Sequence, residues 1–192
     1  EHREAYYSRT VAHNTLLVHR AGETFEQHPA LSLPVNDDGQ RIHTHNRRGC
    51  AQCVQSVAEW RSNIGDGLHF EAGRIDAYED RSALTVVASD LTAAYNSTLQ
   101  ATPGNFAKVA TVQRDLVFVR PSLLLVVDRV QSVSGADPAR FVLHFPQQPV
   151  LSASLPVVRG KPDDGILSGP ASGLAFTMTN GTGGRLLGRT VV

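Results

Sequence analysis

Residues 123–130 read Leu-Leu-Leu-Val-Val-Asp-Arg-Val, a nearly continuous apolar run. Such a run suits a central β-strand buried on both faces, so the fold must supply cover on two sides of it. The segment before it, residues 108–120, sets Val112, Arg114, Leu116, Phe118 and Arg120 on one parity, as a long strand would. Residues 69–72, 74–78 and 84–88 are further strand candidates. Residues 141–145 follow the turn formers Gly135, Asp137 and Pro138. The tail carries Gly160, Pro162, Gly165, Gly169, Pro170, Gly173 and Asn180-Gly181, which predicts short strands on tight turns. Strands recur with turn signals between them, helix signals are sparse, and no repeat of fixed period is present. The expected class is all-β, an antiparallel β-sandwich, rather than alternating α/β.

At 192 residues the chain is long enough to bury a substantial core as one domain, the organisation expected for residues 1–192. Residues 22–36, with Gly22, Pro29 and Pro34, read as a loop. Residues 41–63 are the least strand-like part and read as a loop insertion. Lys plus Arg and Asp plus Glu are both 18, so no global field draws the chain to nucleic acid or an anionic membrane. No run approaches the roughly 18 apolar residues of a spanning helix.

The chemistry-bearing residues cluster on the apolar runs. Ser8-Arg9-Thr10-Val11-Ala12-His13-Asn14 leads into Thr15-Leu16-Leu17-Val18, placing an imidazole at the head of a buried strand. Asp90 follows the apolar run 84–88, and His144 lies inside Phe141-Val142-Leu143-His144-Phe145. His13, Asp90 and His144 are ligand types that suit zinc, with a fourth position left for water or substrate, if their strands pack together. A core histidine bonded to a carbonyl is the competing reading for His13. Cys50 and Cys53 form a lone CxxC: with His43 and His45 they make a chemically feasible metal site, against a loop disulfide or free thiols.

The order of segments resembles the β-sandwich part of the heparinase II/III-like polysaccharide lyases. The matching pieces are Arg9-Thr10, Ala12-His13-Asn14-Thr15-Leu16-Leu17-Val18 and Gly22-Glu23-Thr24-Phe25. Asn36-Asp37-Asp38-Gly39-Gln40-Arg41, Gly73-Arg74-Ile75, residues 90–96, residues 114–121, residues 126–130 and Leu143-His144 follow in sequence. The resemblance implies a secreted or periplasmic protein acting on uronic-acid polysaccharide by β-elimination, with a structural zinc in the sandwich. It also implies a helical toroid that this chain lacks, so the chain is expected to be a piece or a shortened relative of a longer protein.

Elimination needs a base and an acid, and Tyr6, Tyr7 and Tyr95 could serve beside a cation. His13, Tyr95 and Arg9 are the catalytic candidates, with Arg9, Arg114 or Arg120 able to grip a substrate carboxylate. Asp128 and Arg129 read as a structural pair. Three functions stay open: a lyase of acidic glycans, a non-catalytic carbohydrate-binding or scaffold sandwich, and a stand-alone metal-dependent glycan hydrolase or oxidase. For the hydrolase, Asp37, Asp38, Glu71, Asp76 and Glu79 supply carboxylates. An incomplete sandwich would leave strand edges open, which implies a homo-oligomer or another partner chain.

Overall fold

The computed structural model describes residue 6 and residues 9–23, 38–41, 56–58, 73–96, 106–159 and 165–191. These residues are mostly β: eleven strands, all paired antiparallel, with only short helical turns and no closed barrel among them. The all-β, sandwich-like class expected from the sequence is the one observed. The chain divides into two compact units, residues Glu1–Leu143 and His144–Val192.

The first unit is built on a four-stranded meander. β2 (Arg74–Asp80), β3 (Leu84–Asp90), β4 (Val109–Val119) and β5 (Leu123–Ser132) lie in the order β2-β3-β4-β5. Leu116 stands between Val87 on β3 and Val126 on β5, and Arg114 between Ser89 and Asp128. A second, smaller ladder joins β1 (Leu16–Val18) to β6 (Ala139–Phe141), with Leu17 opposite Arg140. It covers one end of the meander. Leu16, Val18, Tyr95, Val109 and Val112 are buried together there, with Leu91 and Val130 against them.

A single helical turn, α1 (Thr92–Tyr95), is sutured to the start of β4. The Val112 amide donates to Thr92 Oγ1 at 3.0 Å, and the Lys108 amide donates to Asn96 Oδ1 at 2.9 Å. Asn96 Nδ2 donates back to the Val109 carbonyl at 2.8 Å, so one amide side chain satisfies both kinds of backbone group.

The apolar run of β5 is not a central strand. β5 is an edge strand of its sheet, and its five leading residues, Leu123 to Val127, are 40% to 57% exposed. The reason is the small size of the second layer. The β1–β6 ladder reaches the Val112 and Val130 end only, so the rows through Phe118, Leu124 and Val126 extend beyond it. Of the residues expected on one parity over 108–120, Val112 is in the core and Arg114 reaches Asn14 of the overlying layer. An irregularity at Val109–Thr111 puts Val109 in the same core, and Phe118 is exposed.

Beneath that layer sits a fully desolvated charge cluster. Glu23 is 1% exposed, and Arg41 and Lys108 are 0% exposed. Arg41 Nε donates to Glu23 Oε1 at 2.6 Å, and Lys108 Nζ donates to Glu23 Oε2 at 3.0 Å. Backbone carbonyls take other donors: Gly39 from Lys108 Nζ at 2.6 Å, and Phe106 from Arg41 Nη2 at 2.7 Å. The Lys108 ammonium also lies 5.6 Å from the Tyr95 ring centre, on the attractive side of a cation–π contact.

In the second unit, β10 (Ala175–Thr179) lies between β11 (Arg185–Arg189) and β7 (Val150–Leu151), and β8 (Val157–Arg159) pairs with β9 (Ile166–Leu167). Gly188 faces Phe176 across the ladder, and a β-carbon there would run into the Phe176 ring. Phe145 meets that ring edge-on at 5.0 Å.

Replacing Glu23 by Gln leaves two buried cations without their shared anion. Urea unfolding is expected to show a loss of about 3–5 kcal/mol, with the same slope on denaturant if the fold is retained.

Candidate functional site

The N-terminal segment places two of the candidate residues, Arg9 and His13. The chain enters through a 3₁₀ turn at Thr10–Ala12, closed by the Ala12 amide on Arg9 O and the His13 amide on Thr10 O, both 3.0 Å. His13 then turns extended, with φ −128° and ψ 160°, and precedes β1 instead of lying on it. It is exposed, as is Asn14. Arg9 is buried at the other end of the turn.

Tyr95 is the most deeply enclosed candidate. Its hydroxyl donates to the Leu16 carbonyl at 2.5 Å, and burial pushes its ionisation above the ordinary phenol value. A buried phenol with that partner is held in the protonated form and fixes β1 to α1.

Asp90 closes β3 and caps the turn that follows. Its Oδ1 accepts the Thr92 amide at 2.8 Å, and its Oδ2 lies 3.6 Å from Arg74 Nη2. Hydrogen bonding from the Thr92 side chain, then from its amide, together with the nearby Arg74 charge, holds the Asp90 carboxyl below the usual carboxylate range.

Arg114 is committed internally. Its Nε and Nη2 form a fork on Asp128 at 2.7 and 2.9 Å, its Nη1 donates to Asn14 O at 2.7 Å, and its guanidinium lies 5.4 Å from the Phe141 ring centre. Asp128 therefore pairs with Arg114 and not with its sequence neighbour. Arg129 pairs instead with Asp115 at 2.5 Å. The cause is side-chain alternation, which sends neighbours 128 and 129 to opposite faces. Arg120 is likewise engaged, with Asp80 Oδ1 at 2.6 Å and the Arg81 carbonyl at 2.5 Å.

His144 opens the second unit, past the end of β6 at Phe141, so it is not in a strand. His13 and Asp90 belong to the first unit. Among the described residues no three His, Cys, Asp or Glu side chains gather closely enough to hold a metal ion. Tyr7, Asp37, His43, His45, Cys50, Cys53 and Glu71 lie outside the described residues, as does most of the 41–63 insertion. Of the other carboxylates, Asp76 pairs with Arg74 at 2.5 Å, and Glu79 pairs with Arg81.

A different constellation is assembled that the sequence does not announce. Asp38, at φ +63°, accepts His19 Nδ1 on one oxygen at 2.9 Å and Arg140 Nη1 on the other at 3.1 Å. Its own carbonyl takes the Val18 amide at 2.6 Å. A carboxylate on Nδ1 fixes the orientation of an imidazole and leaves its other nitrogen for proton transfer. The partners are 19 and 102 residues apart. The one local signal is the Asn-Asp-Asp-Gly turn, which favours a left-handed residue.

Comparison with protein-family models, with curated proteins and with solved structures finds no match to this chain.

Two outcomes follow. Tyr95→Phe removes a buried hydrogen bond and is expected to cost about 1–2 kcal/mol in chemical unfolding. Asp90, with its folded value depressed, stabilises the fold fully above its unfolded value of about 3.9 and ceases to do so as pH falls through the folded value. The difference in melting temperature between wild type and Asp90→Asn should therefore be steady at neutral pH and shrink in strong acid.

Proposed function

We propose that this chain is a glycan-binding β-sandwich of the heparinase II/III-like type that supports, rather than carries out alone, the β-elimination of uronic-acid polysaccharide. The reading is supported by the ordered segments that resemble that family and by the all-β fold they occupy. The observation that carries the non-catalytic part is the commitment of the candidate groups. Tyr95 donates to Leu16 from a buried site, and Arg114 is forked on Asp128 and bonded to Asn14. Neither can meet a substrate without breaking those bonds.

A structural zinc, whose candidate ligands are His13, Asp90 and His144, and a secreted or periplasmic location belong to the same proposal. Elemental analysis of wild type beside His13→Ala and His144→Ala decides that part: one zinc per chain, absent from both variants, supports it, and metal-free wild type removes it.

One observation favours a second, catalytic reading. His19 is oriented by Asp38 at 2.9 Å and its side chain is 41% exposed, so its Nε2 could accept the C5 proton of a uronate. The assay is the ultraviolet absorbance of the 4,5-unsaturated product released from uronans. No product is the expected outcome for the chain alone. Product that falls about a hundredfold or more in His19→Ala while surviving in Tyr95→Phe would establish the catalytic reading instead.

The open β5 edge completes the proposal with a partner, a second copy of this chain. Light scattering should show concentration-dependent association that Leu125→Lys suppresses; a strictly monomeric wild type would remove this element.

A further inference from the structure

The chain contains a single Asn-Gly dipeptide, Asn180-Gly181, and the second unit displays it at the tip of the β10–β11 hairpin. Asn180 is exposed there. The Asn180 amide donates to Gly184 O at 2.9 Å and the Gly183 amide to Asn180 O at 3.1 Å, which closes the turn. Within it the Asn180 carboxamide oxygen takes three donors. Oδ1 accepts the Gly184 amide at 2.7 Å, the Thr182 amide at 3.1 Å and the Thr182 hydroxyl at 2.9 Å. The carboxamide lies so close over Gly184 that a β-carbon there would stand 3.2 Å from Cγ and 2.9 Å from Nδ2.

Three donors on one amide oxygen do more than hold a turn. They draw electron density from Cγ, and they stand where negative charge develops when a nucleophile adds to it, as the donors of an oxyanion hole do. The nucleophile is next in the chain. The bond from the Thr182 amide to Oδ1 closes a small ring that contains both Cγ and the Gly181 nitrogen, and so limits how far apart the two can stand. Beyond its chain neighbours, no atom lies within 4 Å of where a β-carbon on Gly181 would be, so that side of the dipeptide is open. Asn96 is the contrasting case. Its Oδ1 accepts the Lys108 and Val109 amides, and its Nδ2, the nitrogen that would have to leave, donates to the Val109 carbonyl at 2.8 Å.

We propose that Asn180 is a self-modification site, at which the turn converts its own asparagine to a succinimide and then to aspartate or isoaspartate. The Gly181 nitrogen gives its proton to hydroxide and bonds to Cγ, which puts the negative charge on Oδ1 among its three donors. The Cγ–Nδ2 bond then breaks, Nδ2 takes a proton from water, and ammonia leaves. Water opens the succinimide at Cγ to give aspartate, or at the Asn180 main-chain carbonyl to give isoaspartate. Water is the one co-reactant consumed, and no glycan takes part. The product carries a new carboxylate next to the Thr179–Arg185 pair of the hairpin. Isoaspartate also adds a carbon to the main chain inside the bonded turn, which breaks the Asn180–Gly184 closure.

The test is incubation of the full chain at mildly alkaline pH, folded and in concentrated urea, followed by peptide mass mapping and enzymatic methylation of isoaspartate. The peptide holding Asn180 is expected to change from amide to acid about tenfold or more faster in the folded chain than in urea, because only the fold assembles the three donors. Thr182→Val keeps the amide donor and removes the hydroxyl. It should slow the folded reaction about threefold or more and leave the rate in urea unchanged, while Thr182→Ser retains the wild-type rate in both. Amide NMR spectra of the two variants, unchanged over β10 and β11, separate loss of the hydroxyl from loss of the hairpin. The comparison of folded and unfolded wild type stands whatever either variant does. Three results overturn the site: a folded rate equal to or below the rate in urea, a folded Thr182→Val chain modified as fast as wild type, or modification of Asn96 ahead of Asn180.

Discussion

Glu23, Arg41 and Lys108 form the joint on which the first unit depends. Desolvating three charges is expensive, and the expense is met only because the carboxylate takes one cation on each oxygen while carbonyls of Gly39 and Phe106 take further protons. That requirement is geometric. It fixes residues 20–23, 38–41 and 106–108 against one another, and those segments in turn hold β1, α1 and the start of β4. The Arg41 amide on the Ala94 carbonyl, the Gln40 amide on Thr10 Oγ1 and the Val18 amide on the Asp38 carbonyl are the threads that run outward from it. Among the described residues the cluster borders the apolar core of Leu16, Val18, Tyr95, Val109 and Val112 through the Lys108–Tyr95 contact, and its fixed geometry adds a specificity that apolar area alone does not.

The sequence made some of this legible. Period-two spacing put Val112 and Arg114 on one parity, and the apolar stretch at 15–18 marked β1, because both signals are local to their strands. Turn chemistry in the tail marked the short strands of the second unit for the same reason. What the sequence could not show is which strand lies at an edge. The run at 123–127 carries the composition of a doubly covered strand, yet cover is a property of other segments, and β6 is only three residues long. The ion pairs escaped prediction similarly. Asp128 and Arg129 are neighbours in sequence and on opposite faces of β5, so their partners are set by cross-strand register. Glu23 with Lys108 and His19 with Asp38 depend on contacts that no spacing rule reaches.

Function is constrained by what the fold spends. Tyrosine and arginine are the residue types a uronate lyase would use, and in this unit their most prominent examples hold layers together. His19 is the opposite case, a histidine drawn from a plain stretch of sequence and given a carboxylate by the fold. Asp137 is a third kind, a carboxylate with one buried oxygen that has no hydrogen-bond partner among the described residues.

The two layers of the first unit also differ in how far the chain must travel to make them. Each ladder of the meander joins consecutive strands, and two of its three connections are three-residue turns. The β1–β6 ladder joins Leu17 to Arg140, and Lys108 reaches Glu23 across 85 residues. Loop-closure entropy rises with the length of chain enclosed, so the hairpins are inexpensive to close and the covering layer is not. The apolar sheet is thus the part that can form on local information, and the charged joint is the part that must wait for the N-terminal chain to return.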